Sequence, residues 1–409
     1  MTLNKTDMSQ SLNSKWCGLS PDEWLPSVVS RHFDPDHGSQ YWLDKEKELG
    51  INAKKEIKTF DDLKILGPMC EDDLRKYPIE HFIPKVFLGQ KSDFILGETA
   101  GTTGRPKVTA YRKNEFHAIF VDWFAFIAGK RNFPTGGNWL WIGPSGPHII
   151  GKAVGPVANR MGSMDPFSID FDPRWAKKMQ PESIGSKRYL EHVLDQAMDI
   201  IETQEIDVLY TTPPVLAALA LRMSDQKRMA IKGVHYGGIS IGKEALKRFK
   251  EENFPNAVHI SGYGNTLFGL CLEIEASFTY DLDYFPLGPR MIVQVVEMED
   301  GNVPGSGRLE KVVNYEEEGQ VVFHRLDESF FIPNMFERDR AVRIPPTSTA
   351  IEYGITQDGV RNPGLLEGSK QVVKTGLYYW ETWSASSVMM HIKVVTRSLH
   401  SKKTVSERY

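Results

Sequence analysis

Hydrophobic positions first recur at helical spacing. Pro21-Asp22-Glu23 opens a run over 24–33 whose apolar residues return every three to four positions, with the acidic pair in the first turn, where the helix dipole favours negative charge. Thr59 precedes Phe60-Asp61-Asp62-Leu63 as an N-cap followed by carboxylates, and Glu71-Asp72-Asp73-Leu74 offers a second helical entry. The first quarter therefore predicts a helical, wrapping lead-in behind a polar arm. From about residue 94 the pattern changes. Short apolar runs at 138–143, 207–210, 234–236 and 257–260 predict buried strands. Between them, 189–203 carries Leu190, Val193, Leu194, Met198 and Ile201 on one face, and 243–252 reads as a further helix. Such alternation predicts a mostly parallel sheet covered by helices. Past about residue 288, β-like runs at 291–297, 308–313 and 319–325 predict an antiparallel meander or small barrel. Beyond Arg343 the pattern turns irregular, which divides the chain into a large region, 1–343, and a reduced C-terminal region, 344–409.

Composition narrows the class. Of 409 residues, 41% are hydrophobic, 25% charged and 11% aromatic, a globular balance that excludes a disordered or low-complexity chain. The 49 basic and 53 acidic side chains leave a formal net charge of −4, so no basic stripe argues for nucleic acid. No window approaches the roughly 18 consecutive apolar residues of a membrane span. The polar start also lacks the apolar stretch of a secretion signal. Cys17, Cys70 and Cys271 are scattered and odd in number, neither a disulfide framework nor a metal pair. A reducing, cytoplasmic setting is expected.

The most informative segment is Gly97-Glu98-Thr99-Ala100-Gly101-Thr102-Thr103-Gly104-Arg105-Pro106-Lys107, directly after the strand-like Phe94-Ile95-Leu96. Glycines let backbone N–H groups turn toward an anion, hydroxyls add donors, and a lysine supplies a point charge. The pattern reads as a phosphate cradle. It is not the Walker loop, and its glycines do not follow GxGxxG. A flexible polar surface loop is the alternative.

Thr99 to Lys107 resembles the phosphate-loop signature of the adenylate-forming superfamily of acyl-CoA synthetases, adenylation domains and luciferases, with Ala100 in place of a serine. The resemblance is strongest to the phenylacetate–CoA ligase and acyl-protein synthetase-like branch, and its landmarks recur in order over about residues 40 to 345. Gly143-Pro-Ser-Gly-Pro-His148-Ile-Ile-Gly151 resembles the segment bordering that branch's acyl pocket. Tyr236-Gly237-Gly238 resembles its adenine-side turn. Ser261-Gly-Tyr263-Gly264-Asn265-Thr266 is similar to its Tyr-Gly-x-Thr-Glu motif, and Glu337-Arg-Asp339 to the element whose aspartate holds the ribose. The resemblance implies an α/β adenylate-forming enzyme fold with helix-covered, mostly parallel sheets, a small β meander or barrel and a shortened C-terminal appendage. It also implies ATP and Mg²⁺ as cofactors. Lys107, Thr99, Gly101, Thr102, Thr103 and Gly104 would cradle the β/γ-phosphates, and Thr266 would face the α-phosphate. Tyr263, flanked by Gly264 and Asn265, would meet adenine beside Gly237 and Gly238, and Asp339 the ribose. Gly143, His148, Gly151 and Phe268 would line the acyl pocket, where the His148 imidazole would act catalytically by orienting the carboxylate or accepting a proton from the incoming nucleophile. His148 could instead be a partly buried histidine bonded to backbone, Tyr263 a turn-flanked core residue and Asp339 a member of a surface ion-pair cluster.

Departures from the family pattern matter as much. Its metal-side glutamate is Leu267 here, and the glutamate of its Gly-Gly-Glu turn is Ile239. Glu273 and Glu275 follow shortly and are candidate metal carboxylates, although the alternation at 272–275 equally suits a half-exposed strand. The family's hinge has no clear match, and its late catalytic lysine has no placeable counterpart beyond Lys370, Lys402 or Lys403. No cysteine follows Cys271, which argues against an acyl-cysteine. The reaction so implied joins ATP and a small carboxylic acid into an acyl-adenylate, releasing pyrophosphate, and passes the acyl group to a thiol (coenzyme A or a carrier protein). An amine acceptor and a non-catalytic nucleotide binder are the alternatives. Neither membrane nor nucleic acid is expected as a partner.

Overall fold

A computed structural model describes residues 15–101, 104–180, 183–298 and 308–366. Strands β1 (Phe94–Glu98) and β2 (Val108–Arg112) form an antiparallel hairpin. Six strands follow: β3 (Trp139–Gly143), β4 (Phe167–Asp170), β5 (Val208–Thr211), β6 (Gly233–Gly237), β7 (Val258–Asn265) and β8 (Gly269–Leu272). They build a sheet in the order β4-β3-β5-β6-β7-β8, parallel throughout except for β8, which runs back against β7. A second sheet is antiparallel and contains β9 (Asp283–Tyr284), β10 (Met291–Val296), β11 (Glu318–Leu326), β12 (Phe331–Ile344) and β13 (Gly359–Leu365), in the order β10-β11-β12-β13-β9.

Local chemistry explains these elements. Every residue of β3 and β5 is buried, as strands covered by helices on both faces require. The helix Pro21–His32 starts at a Ser20 capping box closed by Glu23. The helix Ile184–Thr203 buries Val193, Leu194, Ala197 and Ile201 along one stripe and leaves the opposite face wet. Trp24 and Trp42 insert between the lead-in and the antiparallel sheet, their indole N–H groups donating to the carbonyls of Leu326 (2.6 Å) and Phe331 (3.2 Å). One hydrophobic core thus runs from the lead-in through both sheets.

Several expectations need correction. The 308–313 run is not a strand; only Val312 bridges Val296. Thr59 does cap, through a box with Asp62, but the element it opens, Phe60–Leu66, is a 3₁₀ turn. The helix from Lys243 widens into a π turn at Phe249–Asn253. Strand β7 continues past Ile260 to Asn265, because β8 supplies a hydrogen-bonding partner that local pattern does not reveal. Within the expected C-terminal region, the helix Ser348–Glu352 leads into β13, which pairs with β12 and β9. The rest of the expected C-terminal region, including Lys370, Lys402 and Lys403, lies outside the described residues. Among the described residues no helix is long and apolar enough to cross a membrane.

Candidate functional site

The glycine- and threonine-rich segment is the loop of the β1–β2 hairpin. Its neck is closed twice, by Thr99 N–H donating to the Lys107 carbonyl (3.0 Å) and by Lys107 N–H donating to Thr99 Oγ1 (2.9 Å). Thr99 therefore shapes the loop with its hydroxyl. Gly101 turns with φ 65°, and a Cβ there would lie 2.9 Å from the Gly104 carbonyl, so no larger residue fits. Thr102 and Thr103 lie outside the described residues. The Lys107 ammonium rests on Glu71 Oε2 at 2.5 Å. Arg75 reaches the other oxygen of Glu71 (3.4 Å) and donates from Nε to the Arg105 carbonyl (2.9 Å). Partial burial raises the Glu71 pKa, but Lys107 and Arg75 outweigh it and hold the carboxyl below its usual range.

This hairpin sits directly against two of the other expected segments. A Cβ on Gly97 would lie 3.0 Å from Thr266 Cγ2 and 3.2 Å from Ile149 Cδ1. Glu98 N–H donates to the Pro147 carbonyl (2.9 Å), joining the hairpin to the turn that precedes His148. Tyr111, four residues past Lys107, donates from its hydroxyl to the Thr266 carbonyl (2.9 Å).

On the far side of Thr266, β7 and β12 face each other through alternate residues. Tyr263 Oη donates to Asp339 Oδ2 (2.9 Å), and Asn265 Nδ2 donates to Glu337 Oε1 (2.8 Å). Residues two apart on a strand share a face, so two carboxylates project together. Burial raises both. Glu337 is pushed up to about 7, with Asp339 adding to the rise and Lys107 and Arg338 opposing it. The rise of Asp339 is opposed by the Tyr263 hydrogen bond and by Arg338. The influence of Lys107 on Glu337 brings the hairpin loop and this strand pair within electrostatic reach. Gly237 lies in register with Gly262, and a Cβ on it would lie 2.6 Å from the Gly262 carbonyl; Gly238 follows with φ 80°. A Cβ on Gly264 would meet the Gly269 carbonyl at 2.0 Å, so only glycine permits the β7–β8 hairpin there.

Other expected residues fall elsewhere. Glu273 is fully buried; its oxygens take the Lys250 ammonium (3.1 Å) and the Ser261 N–H (3.0 Å). It thus anchors β7 and the Lys250 helix in the core. Glu275 is taken by the hydroxyls of Thr347 and Thr349, both at 2.7 Å. Phe268 stacks on Phe323 with centroids 3.5 Å apart and is buried. Gly143 and Gly151 are close-packing positions: a Cβ would meet the Trp141 ring at 2.2 Å or the Pro144 carbonyl at 2.4 Å. His148 is buried at the entry to the helix Ile149–Arg160, its N–H donating to the Ser145 carbonyl (3.2 Å), while Ser145 Oγ donates to Asp170 (2.9 Å). His235 and His259 are core residues bonded to backbone carbonyls.

Sequence reasoning missed Glu71, Glu337 and Arg174. Arg174 Nη2 donates to Glu98 Oε2 (2.7 Å) and to the Thr99 carbonyl (3.2 Å), bracing the loop's neck. Glu71 and Arg174 are remote in sequence from the loop. Glu337 had a readable signal, since it shares a strand face with Asp339. No group of three or more His, Cys, Asp or Glu side chains gathers as a metal site among the described residues. Mg²⁺ does not need one, because it keeps waters and rides on phosphates with one or two carboxylates.

No protein-family model and no curated protein sequence matches the chain. Solved structures do. A 2-hydroxyisobutyryl-CoA ligase in complex with 2-HIB-AMP and CoA, in its thioesterification state, is similar over 85% of this chain and 66% of its own, with TM-score 0.58 and 16% identity. An open conformation of the same ligase, with the same ligands, is similar over 83% of this chain and 72% of its own, with TM-score 0.57 and 14% identity. Its postadenylation state with R3-HIB-AMP gives TM-score 0.56 at 15% identity over 84% and 66%. The chain thus spans just under two thirds of the length of two of these ligase structures, and it shares their fold.

Proposed function

We propose that the protein is an ATP-dependent, AMP-forming carboxylic acid ligase. The observation that carries this reading is the convergence of the Lys107 hairpin, Thr266 and the Tyr263–Asp339 pair at one edge of the parallel sheet, where α/β folds hold ligands. A carboxylate oxygen attacks the α-phosphorus of ATP, the bond to the bridging oxygen breaks, and pyrophosphate leaves with the electron pair. An acceptor then attacks the acyl carbon and expels AMP. Catalysis of this kind consists of positioning and charge neutralisation.

Each residue has a matching role. Lys107 leaves Glu71 for the β/γ-phosphates, and Gly101, Gly104, Thr102 and Thr103 supply donors around them. Thr266 faces the α-phosphate. Tyr263 offers its ring to adenine beside Gly237 and Gly238, while Asp339 accepts from the ribose hydroxyls. His148, at the hairpin's flank, borders the acid. Glu337 lies one strand repeat from Asp339, toward Lys107, and it would hold the Mg²⁺ that arrives on the nucleotide, leaving Asp339 to the ribose. When bound, that ion would neutralise phosphate charge.

A thiol, coenzyme A or a carrier-protein arm, is the acceptor we favour, supported by the likeness to a ligase that binds CoA. Carboxylate-dependent pyrophosphate release, followed with thiol and amine acceptors, tests both steps. Turnover with thiols supports the reading. Turnover with amines alone would make the protein an amide synthetase. Nucleotide binding without pyrophosphate release from any acid would overturn the catalytic assignment.

A further inference from the structure

Two fully buried arginines lie behind the site, outside every motif read from the sequence. Arg325, on β11, donates from Nη1 to Thr109 Oγ1 (2.8 Å) and to the Leu267 carbonyl (3.0 Å), and from Nη2 to the Ala110 carbonyl (2.7 Å). Its Nε is held by Asp327 Oδ2 (2.5 Å). Arg290 grips both oxygens of the same carboxylate (2.7 and 2.8 Å) and donates from Nη1 to the Phe268 carbonyl (2.9 Å). Beneath the Arg325 guanidinium lies the Tyr111 ring, 3.7 Å from its centroid, and the hydroxyl of that ring holds the Thr266 carbonyl. Two stretches of backbone are therefore tied to one pair of guanidiniums. One begins two residues after Lys107, and the other immediately follows Thr266.

We propose that Arg325 is a positioning residue for adenylate formation, which sets Lys107 against Thr266 by gripping the backbone that carries each of them. The inference rests on the ligase reading above. Its physical basis is that a buried ion network seldom adds more stability than apolar packing of the same volume. A guanidinium does supply what apolar groups lack, a rigid planar fork of donors. Here the fork spans a strand and a turn, donating to the Ala110 carbonyl on one and the Leu267 carbonyl on the other. A lysine carries its donors on one atom and cannot bridge both. Since misplacing reacting groups by about 1 Å costs on the order of 10²-fold in rate, the clamp acts on turnover.

The test uses the full chain and three variants, Arg325→Lys, Thr109→Val and a buried control remote from the site, Ile201→Val. Acid-dependent pyrophosphate release is measured against ATP concentration, together with nucleotide affinity and the thermal midpoint. Arg325→Lys is expected to lose about 10–10²-fold in kcat, with nucleotide affinity within about threefold, because Tyr263 and Asp339 are untouched. Thr109→Val removes one acceptor and is expected to lose about three- to tenfold in kcat, with a midpoint close to that of Ile201→Val. Wild-type kcat in a folded Arg325→Lys, or in Thr109→Val where Arg325→Lys does not fold, overturns the proposal. So does a kcat that only tracks the midpoint across all three variants. A wild-type chain that releases no pyrophosphate with any acid overturns the ligase reading first, and the clamp's role falls with it; wild-type release with unaffected variants overturns the clamp alone.

Discussion

Removing Lys107 and removing its partner Glu71 should act in opposite directions on ATP. The pair is only partly buried, with side-chain exposures of 16% for Lys107 and 45% for Glu71. Ion pairs of this kind contribute about 0.2–1 kcal/mol, so Lys107→Ala should barely change the unfolding free energy. Toward a triphosphate the same ammonium is worth much more. Unit charges about 4 Å apart at an effective dielectric of about 20 attract by about 4 kcal/mol before desolvation, and a hydrogen bond to a charged group nets about 1.5–3 kcal/mol. Lys107→Ala should therefore lower kcat/KM for ATP by on the order of 10–10³-fold. Glu71→Gln removes the competitor that ATP must displace. With at most about 1 kcal/mol at stake, it should lower KM for ATP by up to about fivefold and leave kcat nearly unchanged. Pyrophosphate release at varied ATP, beside a urea titration of each variant, reads both. Wild-type turnover in Lys107→Ala, or a raised KM in Glu71→Gln, would refute the argument that this cation serves the nucleotide.

Other substitutions separate roles that the geometry superimposes. Tyr263→Phe keeps the ring and loses only the hydrogen bond to Asp339, so nucleotide affinity should fall by less than about fivefold. Tyr263→Ala should cost about 5–150-fold, the value of a base–aromatic stack, and a nucleotide-binding titration of the two variants checks the ordering. Glu337→Gln should raise the magnesium concentration needed for half-maximal nucleotide binding by at least about threefold while Asn265 keeps its partner; an unchanged magnesium dependence would remove Glu337 from the metal's surroundings. Stability should also depend on pH with a break. Burial pulls His32 and His324 down to about 3 and His235 and His259 to about 4, from an ordinary 6.5. Unfolding then takes up protons, and stability is lost as pH falls below 6.5. Burial pushes Glu115 and Glu337 up from 4.5 to about 7, so their contribution is complete below 4.5 and lost as pH rises to about 7. Urea midpoints should fall gently from pH 6.5 to 4.5, where the two sets oppose, and steeply below it; a monotonic rise on acidification would contradict the buried neutral histidines.

The legible parts of the chain were those whose chemistry is local. The four buried strands of the parallel sheet and the amphipathic helix ending at Thr203 announce themselves by period and burial. So does the glycine- and threonine-rich loop of the β1–β2 hairpin, because its turns need glycine at positions such as Gly101. What escaped were partners across sequence distance. Glu273 and Phe268 looked available because they stand near a motif, yet Lys250, Ser261 and Phe323 claim them from 12 to 55 residues away. Strand β12 carries both Glu337 and Asp339, but its mixture of buried and half-buried positions obscures the alternation. Glu71 lies in the lead-in, where only its helix-capping setting was visible.

The two carboxylates of β12 bear on how this site differs from the pattern it resembles. That pattern has a glutamate directly after the threonine that meets the α-phosphate; here the position is Leu267, whose side chain is fully buried and whose N–H donates to Asn265 Oδ1 at 2.7 Å. An ionised group there would have to enter the core, at a cost of several kcal/mol. Asn265 uses its oxygen to hold that turn and its amide to hold Glu337 across the sheets. One side chain thus couples the shape of the turn to the placement of a carboxylate on the neighbouring sheet. The carboxyl group missing from the turn has a counterpart on β12 in Glu337, which burial pushes up to about 7, one strand repeat from Asp339 and within the influence of Lys107. Loss of the turn glutamate therefore does not by itself argue for a site stripped of its metal-side charge. A carboxyl group remains on the opposing strand, and a cation bound beside it would favour its ionised form.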